Sequence, residues 1–395
     1  MPLRVLYVSA SGCLGGAERS LLELIRALDR TRVQPLAAVP PAGPLAEDLR
    51  SAHAEVVAIP ALRFRRTMNP VQLAQTSCQW AAAVLTLIRA LRRRQVDLVH
   101  ANNTAAHLIA APAAAIAHLP CLWHVRDLHR LPLLQHLLAP FTQGVICVSR
   151  AVAQRVWLPR SSRLTVRVIP NGIDAEAWRR SARPGAVRRE LHVSPDAPVV
   201  LMAAHMVPWK GHETFIRAVA QVRKEWPHVA APIAGADLFG EHALYEGRLR
   251  QLTQELGLQS NVHFLDHRAD VASLMADCDL LVIPSEEEPF GRVALEAMAV
   301  GRAVVGTSAG GLKEVVQDGV TGLLVPPRDV AALSAGMRRL LSDAPLRRQM
   351  GEAGRARVQE LFLMARHVEA VSELYGQITA AFRSGSPSRK CRTWT

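Results

Sequence analysis

The sequence predicts an α/β protein built from two doubly wound domains that face each other across a cleft. Short apolar runs alternate with helical patterns along most of the 395 residues, as is typical of parallel strands in βαβ units. The alternation stops at a turn-rich, arginine-rich stretch near residue 180 and then begins again. A chain of this length also exceeds what one ordinary hydrophobic core accommodates.

The first domain is predicted over residues 1–180. Its first strand, 4–8, leads through a glycine turn into a helix over 17–28 that carries leucine and isoleucine at helical spacing. The later strands of this domain are predicted at 35–39, 56–59, 98–100, 121–124, 144–148 and 165–169.

The second domain is predicted over residues 181–357, after the turn at 170–174. Its strands are predicted at 199–203, 229–233, 262–265, 280–283, 303–306 and 322–325, and its helices include 213–224, 246–256 and 330–341. A helix over 358–383 is expected to pack back on the first domain, and the tail 384–395 is expected to be disordered. Ligands of open parallel sheets bind at the carboxyl ends of the strands, so the cleft is the expected active site.

The charge of the chain is concentrated in its first half. Residues 1–189 hold 25 Arg, no Lys and 10 acidic residues, a net charge of +15, whereas the whole chain carries +13. Clusters such as 63–66 and 92–94 lie beside apolar residues, which favours peripheral contact with an anionic membrane surface. A nucleic-acid partner is not expected, because no recognition module accompanies the charge. An arginine-rich proteome would explain the same composition, and this alternative stays open.

The six cysteines are scattered singly, as is typical of reduced thiols in a cytosolic compartment. No signal peptide and no transmembrane segment are predicted. The expected location is therefore cytoplasmic, with peripheral contact at the inner face of the membrane as a further expectation.

The segment 284–291 follows a predicted strand and precedes a helix over 292–300. Glycine at such a helix start lets a phosphate approach free backbone N–H groups. Glu296 is the single charge on an otherwise apolar stretch of that helix, so it needs a partner, and either ligand hydroxyls or an arginine of the fold would serve. Glu288, taken alone, could be one member of the solvated acidic run 286–288.

The segment Glu288-Pro-Phe-Gly-Arg-Val-Ala-Leu-Glu296 matches the E-x7-E signature of the retaining glycosyltransferases of family 4. That family has the GT-B fold of two Rossmann-like domains. The resemblance covers most of the chain, because further segments resemble the family's motifs in order. These are the N-terminal glycine loop at 15–19, the hinge motif at 169–174, the phosphate-binding element Lys210-Gly211 and the later motifs at 308–314 and 318–325.

The resemblance implies a donor site in the second domain. Glu296 would bind the nucleotide ribose, Glu288 would lie beside the donor sugar, and Lys210 would neutralise the diphosphate as charge develops on it. A surface lysine after a turn is the alternative for Lys210. The other implied donor-binding residues are Gly15, Gly16, His205, Phe290, Gly291 and Arg292.

His205 departs from the family pattern, which commonly has an arginine at this position. A neutral histidine can donate one hydrogen bond but supplies no permanent charge. The departure therefore predicts weaker donor binding, unless another arginine such as Arg292 compensates.

His124 lies at the carboxyl end of a predicted strand, where the family places a histidine near the donor sugar and acceptor. A satisfied polar core histidine is the alternative. Arg126, Asp127 and Asn103 are predicted to line the acceptor side of the cleft.

Two further motif matches are interpreted as indicating neither a metal site nor a dinucleotide-binding site. Asp277-Cys-Asp279 spells a metal–nucleotide pattern, but it directly precedes a strand, where alternation separates the two side chains. The resemblance implies no metal and no cofactor. The glycines at 12, 15 and 16 do not form G-x-G-x-x-G, which argues against a dinucleotide-binding oxidoreductase.

The sequence therefore predicts an enzyme that moves a sugar from a nucleotide-sugar to a glycan, a lipid-linked or another hydroxyl acceptor, with retention and without a metal, as in polysaccharide biosynthesis. One alternative is a nucleotide-sugar epimerase or phosphorylase-like enzyme of the same architecture. Another is a non-catalytic protein that binds nucleotide-sugars or glycans.

Overall fold

A computed structural model of the chain describes residues 1–62, 69–128, 132–156, 164–238, 240 and 242–384. The chain divides into two compact units, Met1–Gly172 with Met364–Thr395 and, between these segments, Ile173–Leu363. The arginines at 63, 65 and 66 and the predicted tail beyond Ser384 lie outside the described residues.

The first unit is built on a seven-stranded parallel sheet in the order β3-β2-β1-β4-β5-β6-β7. The strands are β1 Leu3–Val8, β2 Val33–Val39, β3 Glu55–Ala58, β4 Leu98–Ala101, β5 Cys121–Val125, β6 Gly144–Cys147 and β7 Thr165–Val168. Its helices are α1 Gly16–Ala27, α2 Pro44–Ser51, α3 Pro70–Arg93, α4 Thr104–Ile116, α5 Pro132–Leu138 and α6 Arg150–Ala153, and a 3-10 turn spans Ala139–Phe141. Central strands such as β4 and β5 are buried along their whole length, because helices cover both faces of the sheet.

The second unit is built on a six-stranded parallel sheet in the order β10-β9-β8-β11-β12-β13. The strands are β8 Val200–Ala203, β9 Ala231–Ala234, β10 Val262–Phe264, β11 Leu280–Ile283, β12 Ala303–Thr307 and β13 Gly322–Val325. The helices are α7 Ala175–Ser181, α8 Ala186–Glu190, α9 His212–Val222, α10 Ala243–Glu255, α11 Val271–Asp277, α12 Arg292–Ala299, α13 Leu312–Val315, α14 Val330–Ser342 and α15 Ala344–Leu361.

Each of the thirteen predicted strands is present, with ends that differ by at most two residues from the prediction. The first strand of each unit, β1 in the first sheet and β8 in the second, lies inside its sheet, and the strand order reverses there. The predicted fold class of doubly wound parallel sheets is confirmed.

The predicted helix over 358–383 is wrong in its extent, because two helices occupy this region. Helix α15 ends at Leu361, and α16 begins at Met364 and ends at Arg383. At the break, the carbonyl of Phe362 accepts a 2.9 Å hydrogen bond from the Ile173 amide, and Leu363 bridges to Ile173. No proline or glycine marks the break, so the helical pattern of the sequence runs through it.

Helix α16 belongs to the first unit. Its side chains Val371, Leu374 and Ile378 are buried in the same core as Leu21 and Ile25 of α1. The last helix thereby completes the layer on one face of the first sheet. None of the helices in the described ranges is long and apolar enough to cross a membrane.

Candidate active site

The loop after β11 holds Glu288 in a buried position. Only 6% of Glu288 is exposed. Its Oε2 accepts hydrogen bonds from Lys210 Nζ at 2.6 Å and from Ser285 Oγ at 3.2 Å. The alternative in which Glu288 is part of a solvated acidic run is therefore wrong.

Two glycines support the backbone of Glu288. The amide of Gly311 donates a 2.7 Å hydrogen bond to the Glu288 carbonyl. Gly310 has a φ of +56°, and a Cβ there would lie 2.2 Å from the same carbonyl oxygen. Only glycine allows both this conformation and this approach.

Lys210 ends a 3-10 turn, Pro208–Lys210, that lies against the loop after β11. The Trp209 carbonyl accepts a 2.8 Å hydrogen bond from the Glu286 amide. Gly211 follows with a φ of +77°, and a Cβ there would lie 2.1 Å from the carbonyl oxygen of Pro284. The close approach of these two loops brings the ammonium of Lys210 to Glu288, so Lys210 is an ion-pair partner rather than a simple surface residue.

Glu296 is 3% exposed and pairs with an arginine of the fold. Arg292 Nε, one helical turn earlier on α12, donates to Glu296 Oε1 at 2.9 Å. The Glu296 carbonyl accepts from Trp178 Nε1 at 3.0 Å. Of the two partners that the sequence left open, the arginine is present, and the role of Glu296 toward a ribose stays a prediction.

The remaining donor-site residues of the second unit lie at loop and helix starts. Gly291, with a φ of +96°, directly precedes α12. The ring of Phe290 is buried and meets Phe362 edge-on at 6.1 Å, so a donor contact from Phe290 would come from its backbone. His205 is half-buried, directly after the strand β8 and its neighbour Ala204.

His212 was not singled out from the sequence. It is the first residue of α9, next to the Lys210 turn, and it is fully buried. Burial, followed by the charge of Lys210, lowers the pKa of His212 to about 3, so the imidazole is neutral at physiological pH.

In the first unit, the glycine loop leads into a buried carboxylate. Gly15 and Gly16 start α1, and Glu18 in its first turn is 4% exposed. Glu18 Oε1 accepts from Ser9 Oγ at 3.4 Å and from Asn103 Nδ2 at 3.3 Å. Burial raises the pKa of Glu18, and hydrogen bonds and the charge of Arg126 oppose this shift. The sequence contained a signal for Glu18, because it shares a helix face with the buried leucines of α1.

The predicted acceptor residues Asn103 and Asp127 make contacts within the fold. Asn103 Oδ1 caps α4 by accepting from the Ala106 amide at 2.8 Å. Thr104 Oγ1, at the start of the same helix, donates to Asp127 Oδ2 at 2.7 Å. Both side chains are near the carboxyl ends of β4 and β5, and their contact with an acceptor stays a prediction.

His124 lies on β5 and is fully buried. Its Nδ1 is 3.2 Å from His100 Nε2 and 3.2 Å from Arg126 Nη2. Burial is the main reason that the pKa of His124 is well below 6.5, and the charge of Arg126 lowers it further. Within the described ranges its Nε2 has no hydrogen-bond partner, so His124 is not the fully satisfied core histidine of the alternative interpretation.

Arg126 connects the ends of several strands. Its Nε donates to both oxygens of Asn102 at 3.1 Å, and its Nη1 donates to Asn171 Oδ1 at 2.6 Å. Asn102 follows β4 and Asn171 lies in the turn after β7. The guanidinium thus holds the carboxyl ends of these strands around His124.

The metal-like motif Asp277-Cys278-Asp279 is structural, as predicted. Asp277 Oδ2 accepts from the Val187 amide at 2.8 Å, and its Oδ1 accepts from the Gly185 amide. Asp279 pairs with Arg188 at 3.1 Å and with Arg347 at 3.2 Å. Both carboxylates are used to join segments of the second unit.

The chain matches two family descriptions that together span most of its length. Residues 14–177 match "Glycosyltransferase Family 4", and residues 186–357 match "Glycosyl transferases group 1". The first match falls in the first unit apart from its last residues, and the second falls in the second unit.

Similar proteins agree with these matches. A D-inositol 3-phosphate glycosyltransferase of Mycobacterium marinum is 31% identical over 77% of this chain and 65% of its own length. A glycogen synthase of Mycobacterium tuberculosis is 30% identical over 71% of this chain and 68% of its own length. The solved structure of Anabaena Alr3699/HepE in complex with UDP-glucose has a TM-score of 0.80 at 28% identity, with 95% of this chain and 99% of that chain covered.

The chain spans between 46% and 66% of the length of several curated relatives named D-inositol 3-phosphate glycosyltransferase, including those of Stackebrandtia nassauensis and Geodermatophilus obscurus. The paired domain matches, the level of identity and the parallel-sheet units nevertheless agree with one another. The chain belongs to the family 4 glycosyltransferases, the glycosyl transferases group 1 with the GT-B fold.

Proposed function

We propose that this chain is a retaining glycosyltransferase that uses a nucleoside diphosphate-sugar, with a UDP-sugar as the first candidate. The observation that carries the proposal is the ion pair between the partly buried Lys210 and the buried Glu288, at 2.6 Å between two glycine-supported loops. Such a site offers a compact cation for a diphosphate and a carboxylate for sugar hydroxyls. The UDP-glucose complex of Anabaena Alr3699/HepE, a protein of the same architecture, supports UDP as the nucleotide.

In the proposed reaction, the bond between the anomeric carbon and the diphosphate oxygen breaks and a bond to the acceptor oxygen forms on the same face of the sugar. The transition state has oxocarbenium character. The ammonium of Lys210 stabilises the charge that develops on the leaving diphosphate. The departing phosphate oxygen takes the proton of the acceptor hydroxyl, so no separate protein base is required.

Glu296 is proposed to bind the ribose. Ribose hydroxyls donate hydrogen bonds, and a carboxylate accepts them. Arg292 at 2.9 Å orients this carboxylate in the buried site. His205, which has no permanent charge, leaves Lys210 with the larger share of diphosphate binding.

The proposal is tested first by a thermal-shift screen against UDP-, GDP- and ADP-sugars, because a ligand that binds the native state raises Tm. Calorimetry with Glu296→Ala and Lys210→Ala should then show weaker binding of the stabilising sugar nucleotide. Lys224→Ala, which alters an exposed lysine near the end of α9, is the matched control. Unchanged affinity in both site variants would show that the donor site lies elsewhere.

Product analysis separates the alternatives. A transferase yields a glycoside whose anomeric configuration, read by NMR, equals that of the donor. An epimerase releases a new sugar nucleotide without any acceptor. A protein that only binds would show calorimetric affinity without turnover.

We also propose that the first unit contacts an anionic membrane surface. Between Glu55 and Asp174 the chain has 14 arginines and only two acidic residues. Helix α3 exposes Val71, Leu73 and Leu85 to 62%, 49% and 52%. Exposed arginines follow at the end of the same helix, at 89, 92 and 93. Apolar and basic side chains on one helix suit interfacial docking, and a lipid-linked acceptor would be reached from this position.

Co-sedimentation with phosphatidylglycerol and phosphatidylcholine vesicles tests this contact. Binding should require the anionic lipid and should weaken at high salt. Leu73→Ser with Leu85→Ser should reduce it, whereas Leu244→Ser, which changes a still more exposed leucine of the second unit, should not. Equal, negligible binding to both vesicle types would contradict the proposal. It would favour the alternative that an arginine-rich proteome explains the basic composition.

A further inference from the structure

Four buried side chains of the first unit form a continuous chain of hydrogen bonds. The hydroxyls of Tyr7 on β1 and Tyr375 on α16 are 3.1 Å apart. Tyr375 Oη is 2.6 Å from His100 Nδ1, and His100 Nε2 is 3.2 Å from His124 Nδ1. The four side chains are fully buried, so water does not compete for these contacts.

Arg126 determines the direction of the bonds in this chain. A guanidinium has only donors, and Arg126 Nη2 is 3.2 Å from His124 Nδ1. A hydrogen on that nitrogen would place two donors against each other. His124 Nδ1 therefore carries the lone pair, and a neutral imidazole then carries its hydrogen on Nε2.

The neutral state of His124 follows from its surroundings. Burial, Arg126 and the neighbouring histidines His100 and His367 hold the pKa of His124 well below 6.5. His367 is itself engaged, with its Nδ1 2.7 Å from the Pro170 carbonyl. A second positive charge beside Arg126 is therefore disfavoured at physiological pH.

Each of the other hydrogen bonds in this series is then donated in the direction of His124. The single lone pair of His124 Nδ1 is shared by two donors, Arg126 Nη2 and the Nε2–H of His100, because a lone pair on His100 Nε2 would face it with no hydrogen between them. With its hydrogen on Nε2, neutral His100 accepts at Nδ1 from the Tyr375 hydroxyl. A hydroxyl has one hydrogen, so Tyr375 in turn accepts from Tyr7. Heavy-atom positions allow this orientation of the two hydroxyls as well as its reverse, and Arg126 selects it.

This series of hydrogen bonds ends at the Nε2–H of His124. This atom is buried and has no hydrogen-bond partner within the described residues. A buried donor without an acceptor is unfavourable, and a ligand oxygen would relieve it. His124 is also the residue for which a place beside the donor sugar was predicted.

We propose that Arg126, supported by His100 and Tyr375, fixes His124 as the Nε2–H tautomer, so that His124 donates a hydrogen bond to the bound substrate and does not act as a general base. Arg126 is thus the positioning residue, and His100 and Tyr375 continue the hydrogen bonds in the direction that it sets. The role of His124 toward substrate rests on the proposed function, whereas the tautomer of His124 is independent of that function.

This assignment agrees with the proposed reaction. A histidine that presents N–H to the substrate has no lone pair there with which to accept the acceptor's proton. In the proposed same-face displacement, the acceptor's proton passes to the oxygen of the leaving phosphate. Arg126 also holds Asn102 and Asn171, and its contact with an acceptor stays a prediction.

The test is ¹⁵N NMR of the full chain labelled at histidine, with the His124 resonances identified by their loss in His124→Gln. We expect a protonated Nε2 and an unprotonated Nδ1 in the wild type without substrate. Arg126→Met should move the hydrogen wholly or partly to Nδ1, whereas Arg126→Lys, which keeps a cationic donor at this position, should retain the original tautomer. Tyr375→Phe should leave His124 unchanged, because Arg126 remains.

A protonated Nδ1 in the wild type would overturn the proposal, and so would an unchanged tautomer in a folded Arg126→Met variant. If that variant does not fold, the wild-type spectrum decides alone. The measurement needs no substrate, so its failure is distinct from a failure of the proposed activity, which the sugar-nucleotide screen reports.

Discussion

Buried carboxylates paired with cations define the second unit's candidate site at the scale of single residues. Glu288 and Glu296 are 6% and 3% exposed, and they pair with Lys210 and Arg292 respectively. A buried charge without its partner is costly, so each pair maintains both the fold and the geometry of the site.

Replacing Lys210 with alanine should lower kcat by about 10²–10³-fold, as expected for the loss of one preorganised charge at a developing anion. It should also lower Tm, because Glu288 loses its cation. Steady-state kinetics with the sugar nucleotide found in the screen, together with a thermal melt, measure both effects.

Lys224→Ala is the control for this change, since its side chain is exposed and its charge lies outside the site. If Lys210→Ala lowered Tm but left kcat and KM unaltered, Lys210 would be structural and the diphosphate assignment would be wrong.

Some residue contacts could be predicted and others could not. Glu296 was recognisable because a lone carboxylate on an apolar helix needs a partner. The contact between His100 and Tyr375 joins residues 275 positions apart, and no local pattern indicates it. The role of Arg126 in holding strand ends together could not be predicted either, because its partners lie in turns that are far apart in the sequence.

At the scale of elements, the site is made by loops that follow parallel strands and approach each other closely. Gly310 meets the Glu288 carbonyl, and Gly211 meets the Pro284 carbonyl, both with positive φ. These contacts fix the backbone that carries the charged side chains. The strands were predictable from apolar runs bounded by turns, whereas these loop contacts depend on tertiary packing.

Gly310→Ala should therefore reduce activity more than Gly319→Ala. Both residues have positive φ, +56° and +73°, so both substitutions are strained. Only at Gly310 would the new Cβ collide with the Glu288 backbone, whereas at Gly319 nothing lies within 4 Å.

Comparison of kcat/KM and Tm for these two variants measures the difference. We expect a larger loss of Tm for Gly310→Ala, because the collision adds to the backbone strain that both variants share, together with an additional loss of activity of about tenfold or more, since misplaced groups are costly to catalysis. Equal activity losses would mean that the position of Glu288 is unimportant.

The end of α15 shows where element boundaries escape sequence patterns. The break at Phe362 and Leu363 is stabilised by backbone contacts with Ile173, almost two hundred residues earlier. Helical periodicity continues across it, so the sequence predicted one helix where two are present. These backbone contacts outweigh the helix propensity of the segment, because they also determine where α16 begins.

At the scale of the whole molecule, the first unit is assembled from two distant segments of chain. Residues 1–172 and helix α16 share one core, with Leu374 and Ile378 packed beside Leu21 and Leu24. The number of domains and their order along the chain were predictable from the repeated βα pattern. The family resemblance that the motifs indicated is confirmed by the matches over both units.

Leu374→Ala should destabilise the first unit by about 2–5 kcal/mol, the range for a buried leucine. Hydrogen exchange followed by mass spectrometry should show faster exchange in β1 and β4, with little change in β8 and β11. Leu361→Ala, at a leucine that is 39% exposed, is the matched control and should leave both sheets unaffected. Unchanged exchange in β1 and β4 would mean that α16 contributes little to that core.

The return of α16 has a consequence for how the protein forms in the cell. A ribosome releases the first 172 residues long before it reaches Met364, so the face of the first sheet that α16 covers stays open to water throughout the synthesis of the second unit. The second unit, which is continuous in sequence, can finish folding earlier. We therefore expect a released chain truncated after residue 363 to hold a folded second unit and an exposed apolar face on the first, and to depend on chaperones.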